Sequence, residues 1–143
     1  MTVRAILDAK GREVMTIRPD DRLAEATRIL ASHRIGALVV TLGDNRIAGI
    51  LSERDIVRAI GEEGAEALDF PVSSVMTSNV KVCHEENTAN DLMEIMTRGR
   101  FRHMPVEKDG HLDGIISIGD VVKLRIEEVV REAEEMKSYI ATA

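Results

Sequence analysis

Apolar residues along this chain change their period several times, and the changes mark out its elements. Residues 14–18 read as a short strand, and Pro19-Asp20-Asp21 as an acidic helix entry. Leu23, Ala26, Ile29 and Leu30 then recur at helical spacing. Residues 35–42 form a nearly continuous apolar run, which predicts a strand covered on both faces. Gly43-Asp44-Asn45 turns the chain, and residues 47–51 return as its hairpin partner. Ser52 opens a second helix carrying Ile56, Val57 and Ile60, with Gly61 as its expected stop. The same order follows again, with strands predicted at 80–83, 102–106 and 112–117 and a helix over 89–96. Residues 62–71 between the two series read as an acidic linker.

The two series are copies. Gly49-Ile50-Leu51-Ser52-Glu53-Arg54-Asp55-Ile56-Val57 returns as Gly114-Ile115-Ile116-Ser117-Ile118-Gly119-Asp120-Val121-Val122, with five of nine positions identical. Upstream, Val14 matches Val80, Ile29 matches Ile95 and Val40 matches Val106, at a spacing one residue longer. The change of spacing falls in the hairpin turn, where altered length costs least. One copy is too small to cover both faces of a three-stranded sheet, so the pair is expected to pack as one unit. The fold class expected is α+β: two β-α-β-β-α repeats related by a pseudo-twofold axis and packed through their sheets. A C-terminal helix is appended to them.

Composition narrows the partners. The chain has 143 residues, 44% hydrophobic and 31% charged, with a formal charge of −6. That balance disfavours nucleic acid as a partner. Phe70, Phe101 and Tyr139 are the only aromatics, so the core must be aliphatic. A single cysteine rules out an internal disulfide framework, and no apolar stretch is long enough for a membrane span. A reducing, cytoplasmic setting without membrane contact is expected.

Each Ser-x-x-Asp segment has two readings. It is a helix capping box, in which Ser and Asp bond each other's backbone amides. It is equally a polar rim over an apolar floor: the carboxylate can accept from a sugar diol, and the helix N-terminus attracts phosphate. Arg98, Arg100, Arg102 and His103 concentrate positive charge where a strand should enter the core. This is either a solvated charge run or a site compensated by an anion. Repeat 1 has Gly36 and Ala37 at the places of Arg102 and His103, so the two halves are not equivalent. Cys83 and His84, adjacent on a strand, point to opposite faces and form no nucleophile–base pair. No catalytic residue, metal site or catalytic cofactor is expected. In the tail, Val122, Ile126, Val129, Ala133, Met136 and Ile140 make a heptad-like stripe, either packing back onto the module or forming a dimer contact.

With these motifs in order, the chain resembles a tandem cystathionine-β-synthase (CBS) domain pair, or Bateman module. It is similar in particular to stand-alone bacterial CBS-pair proteins. The residues that carry the resemblance are Pro19-Asp20-Asp21, the two Gly-Ile-x-Ser-x-x-Asp segments and His103-Met104-Pro105-Val106. It implies one module over 1–143, with repeats at 3–61 and 72–125, a linker at 62–71 and a C-terminal amphipathic helix at 126–143. It also implies a regulatory module, not an enzyme, that binds AMP, ADP, ATP or an NAD-type ligand, AMP foremost. The alternatives are an S-adenosylmethionine-binding module or a ligand-free structural adaptor. Asp55 and Asp120 match the ribose-binding acids, Ser52 and Ser117 their polar partners, and Ile50 and Ile115 the floor beneath adenine. The other copy is expected to supply Thr77, Val82 and Phe101 to Asp55, and Thr16 and Ile35 to Asp120. Arg102 and His103 fall at phosphate-contacting positions, and Arg54 adds a cation that repeat 2 lacks. A homodimer signalling to an effector protein completes the expectation.

Overall fold

Two short hairpins carry the duplication, and the computed structural model describes residues 1–142 around them. In the first half, β1 (Thr16–Ile17) pairs in parallel with β2 (Ala37–Thr41), and β2 pairs antiparallel with β3 (Ile47–Ser52). In the second half, β4 (His103–Lys108) pairs antiparallel with β5 (His111–Ser117). The strand expected at 80–83 is reduced to one parallel bridge, Cys83 to Val106. All five residues of β2 are buried, as a strand covered on both faces requires.

The helices are α2 (Leu23–His33) and α3 (Glu53–Glu63) in the first half, and α4 (Ala89–Gly99) and α5 (Ile118–Thr142) in the second. Both α2 and α4 end on a left-handed arginine, Arg34 at φ 53° and Arg100 at φ 56°. A side chain at such a position costs about 1 kcal/mol relative to glycine. Both copies retain it three residues before the following strand, β2 or β4, begins. Helix α3 runs past Gly61 and stops at Gly64, whose φ of +76° makes it the actual C-terminal cap. The expected linker is not a solvated spacer: it completes α3 and continues as a 3-10 turn over Gly64–Asp69 with Ala67 fully buried.

A helix the hydrophobic pattern did not suggest, α1 (Val3–Lys10), opens the chain. Its residues were counted with the first repeat, yet Val3, Ile6 and Leu7 are buried in the second core, with Leu92, Met104 and Ile116. Conversely, Val72, Val75 and Met76, which lead into the second repeat, pack into the first core with Leu38 and Leu51. Each half is therefore closed by the segment preceding the other. Polar bonds hold α1 there. The Val3 amide donates to the Asn87 carbonyl at 2.8 Å. Arg12 pairs with Glu85 and Asp113, both at 2.7 Å, and Arg4 with Glu85 at 2.9 Å. The Glu85 carboxyl is held below the usual range, first by its bond to Arg12 and then by Arg4.

The glycines that open the repeated motif serve this exchange. A Cβ on Gly114 would lie 2.7 Å from Leu7 Cδ2, and one on Gly49 2.7 Å from the Thr77 carbonyl and 2.8 Å from Met76 Sδ. Each glycine leaves a strand bare so that a crossing segment can lie on it. Cys83 is buried, and burial pushes its thiol up to about 12.

Truncating Leu7 to alanine should therefore cost about 2–5 kcal/mol in a urea titration, as for a buried core leucine. A loss under about 1 kcal/mol would mean that α1 only rests on the surface.

Candidate functional site

Strand β3 ends and α3 begins at a capping box. The Ser52 hydroxyl accepts from the Asp55 amide at 3.2 Å, and Asp55 Oδ2 accepts from the Ser52 amide at 3.0 Å. The same box recurs at Ser117 and Asp120, at 3.2 and 2.9 Å. The capping reading of both segments is thus correct locally. What differs between the copies is what surrounds them.

Around Asp55 lies a cavity of about 320 Å³, within the range of small-molecule sites. Ile50, Ala37, Val80 and Phe101 supply its apolar lining, and Ser52, Asp55 and Thr77 a polar end. Thr77 is fixed by an antiparallel bridge to Ile50, with amide–carbonyl distances of 3.0 and 2.9 Å in the two directions. Arg54, Arg58, Lys81, Arg100, Arg102 and His103 also line it, against only two acids, Glu53 and Asp55. A chain of net charge −6 has five of its 19 lysines and arginines on one concave surface. Such a surface focuses a positive potential over the opening.

The asymmetry between repeats has a steric side. A Cβ on Gly36 would sit 3.2 Å from the His103 ring, so glycine makes room for the bulk that repeat 2 places opposite it. The His103 pKa is lowered, first by burial; Glu53 and Asp120 act against this, whereas Lys10 and Arg102 add to it. His103 thus stands between the surroundings of both aspartates.

Expected residues fall into two groups. Ile50, Ser52, Arg54, Asp55, Thr77, Phe101, Arg102 and His103 share the cavity; Val82 does not, its place being taken by Val80 and Lys81 in an irregular stretch. The residues expected around Asp120 do not assemble likewise. Thr16 lies in a separate surface groove with Asp21 and Arg28, and Ile35, Ile115 and Ser117 line neither hollow. Asp120 is held by Lys10 Nζ at 2.7 Å. Burial opposes its charge, but Lys10 and the Ser117 amide outweigh burial and keep its pKa below the ordinary value. Arg58, Lys81, Asn79 and Glu53 line the cavity without having been singled out. Arg58 was recoverable, since three and four residues beyond Asp55 and Arg54 is one helix face. Lys81 carried no such signal.

Comparison with known proteins follows the same division into halves. A family model for the CBS domain matches residues 3–62 and 72–127. The mitochondrial CBS domain-containing protein CBSX3 of Arabidopsis thaliana is 33% identical over 147 residues, covering 97% of this chain and 71% of that one. The crystal structure of a CBS-domain containing protein from Agrobacterium tumefaciens is 53% identical, with a TM-score of 0.83, covering 87% of this chain and 92% of that one. The CBS domain pair of protein MJ0100, solved with 5′-methylthioadenosine and S-adenosyl-L-methionine, is 23% identical with a TM-score of 0.79, covering 90% and 98%. That last likeness is one of fold.

Because the folded pKa of His103 lies below its unfolded value, the unfolded chain holds more protons between the two, and stability there rises with pH. Its contribution is complete above about pH 6.5 and is lost as pH falls through the folded value. The melting temperature should drop on acidification from about pH 7.5 to 5.5, and His103→Gln should flatten part of that slope. An unchanged slope in the variant would show that His103 titrates as it does in water.

Proposed function

The chain belongs to the CBS-domain family, and from that premise we propose that it is a regulatory module, not an enzyme, holding an adenine nucleotide in the cleft around Asp55. The observation that carries this reading is the cluster of five arginine and lysine side chains, with His103, on one hollow of an acidic protein. Cations at this density repel one another unless an anion compensates them, and phosphate is the anion that arginine forks and a helix N-terminus both suit. Asp55, beside Ser52 and Thr77, is the acceptor for the ribose hydroxyls. Ile50, Val80 and Phe101 supply apolar surface for the base. Five cations against two acids favour ADP, ATP or an NAD-type ligand, with two or more phosphates, over AMP.

S-adenosylmethionine is the second candidate, since MJ0100 was solved with it. Its sulfonium centre is itself cationic, and the charge lining this cleft opposes it. Output would pass through the helices. Val57 on α3 and Val122, Ile126 and Val129 on α5 are exposed apolar side chains. Beyond Leu124 no residue of α5 described here is fully buried; Arg125 and Glu128 are half-buried, and Glu128 pairs with the Met1 N-terminus at 3.2 Å. A homodimer, or an effector protein, covering these faces would sense occupancy if ligand affinity differs between two arrangements.

Thermal shift with ATP, ADP, AMP, NAD and S-adenosylmethionine should rank the polyphosphates first. Ligand at about a hundred times its Kd adds about 2.7 kcal/mol, several degrees for a domain of this size. Asp55→Ala should weaken ATP about 10- to 100-fold in calorimetry, through loss of charge-assisted bonds. Arg102→Ala should weaken ATP much more than adenosine. Equal losses for the two would remove Arg102 from the phosphate, and no shift with any of the five would leave only a duplicated scaffold.

A further inference from the structure

We infer that Lys10 is a lock on the second half of the cleft, so that the module takes one nucleotide per chain even though the Ser-x-x-Asp motif is present twice. The inference rests on the reading of the Asp55 cleft given above and adds a limit to it.

Two crossing segments occupy equivalent places, Leu7 lying on Gly114 and Met76 on Gly49. Three residues further on stand Lys10 and Asn79. In one half the segment is still helical at that point, and α1 delivers Lys10 Nζ to Asp120 Oδ2 at 2.7 Å. In the other it has become extended, with Thr77 bridged to Ile50, and Asn79 lines the open cavity. Asp55 has no lysine partner: its one ion pair among the described residues is Arg58 at 3.8 Å, on its own helix. The lysine is pre-positioned. Leu7 is buried three residues before it, and Arg12 is clamped to Glu85 and Asp113 two residues after it. An ammonium on Asp120 Oδ2 blocks the carboxylate that a ribose diol would need.

Releasing the lock would not create a phosphate site. Gly119 stands at the place of Arg54, which lines the Asp55 cavity, so freeing Asp120 of Lys10 removes a cation beside it and adds none. The chemistry it would accept is an uncharged nucleoside.

Equilibrium dialysis of the full chain and of Lys10→Met against ATP and against adenosine separates the possibilities. Expected are one ATP per chain in both proteins, and adenosine rising from one equivalent in the wild type to two in the variant. Two equivalents of either ligand in the wild type would overturn the lock, as would adenosine remaining at one in Lys10→Met. No binding of either ligand to either protein would overturn the reading of the Asp55 cleft, and this inference with it. A ligand-free readout stands beside these: the Asp120 carboxyl, followed by NMR titration, should move to a higher pKa in Lys10→Met. Its failure to move would show that the ion pair does not form in solution, and would refute the lock whatever the dialysis shows.

Discussion

The architecture depends on a reciprocal crossing. Val3, Ile6 and Leu7 are buried in the second core, and Ala67, Val72, Val75 and Met76 pack into the first. The crossing in turn requires Gly49 and Gly114, because at both positions a methyl group would meet the segment above at 2.7 Å. This gives the glycine of the repeated motif a packing cause, independent of backbone dihedral. It also ties the cleft to the core. The strand that carries each glycine ends, three residues later, at the serine that caps the next helix. A displacement of the crossing segment is therefore felt at the polar rim within about 10 Å of chain.

Much of this was legible because it is local or repeated. Hairpins announce themselves by turn residues between apolar runs. Capping boxes announce themselves by Ser-x-x-Asp. The duplication doubles these signals, which makes Ile50, Ser52 and Asp55 stand out, whereas Arg102 and His103 stand out as part of an unduplicated run of cations and through the resemblance. What escaped was non-local. Helix α1 is eight residues long, too short for periodicity to stand out, and its apolar face meets partners some eighty positions away. The expected linker is acidic on average, yet one small residue, Ala67, decides that it packs. The pairing of Lys10 with Asp120 joins residues 110 positions apart, and charge pairs across such distances leave no pattern in a single sequence.

The resemblance treats the two halves of the cleft as symmetric. It puts Thr16 and Ile35 with Asp120, and Thr77, Val82 and Phe101 with Asp55. The two crossing segments, however, fold differently, one as a helix to residue 10 and the other as a 3-10 turn, Val72–Ser74, leading to an extended stretch. Sequence duplication preserves strands and caps, where local bonds set the conformation. It does not preserve segments whose conformation is set by what they cross.

Charge and space then combine to make one half receptive. His103 needs the room that Gly36 leaves, so bulk at position 103 of one copy excludes bulk at position 36 of the other. Once one copy commits to Arg102-His103, the other is driven toward glycine at position 36, and the cations at this contact come from one repeat alone. The remaining carboxylate, Asp120, is left partly buried opposite a half that has no cations at those positions. An unpaired carboxylate there would be disfavoured by desolvation. A lysine borne on the crossing helix answers that cost from within the chain, and in doing so takes the position a second ligand would use. The asymmetry thus follows from one steric exclusion: equal halves cannot both be basic where they touch.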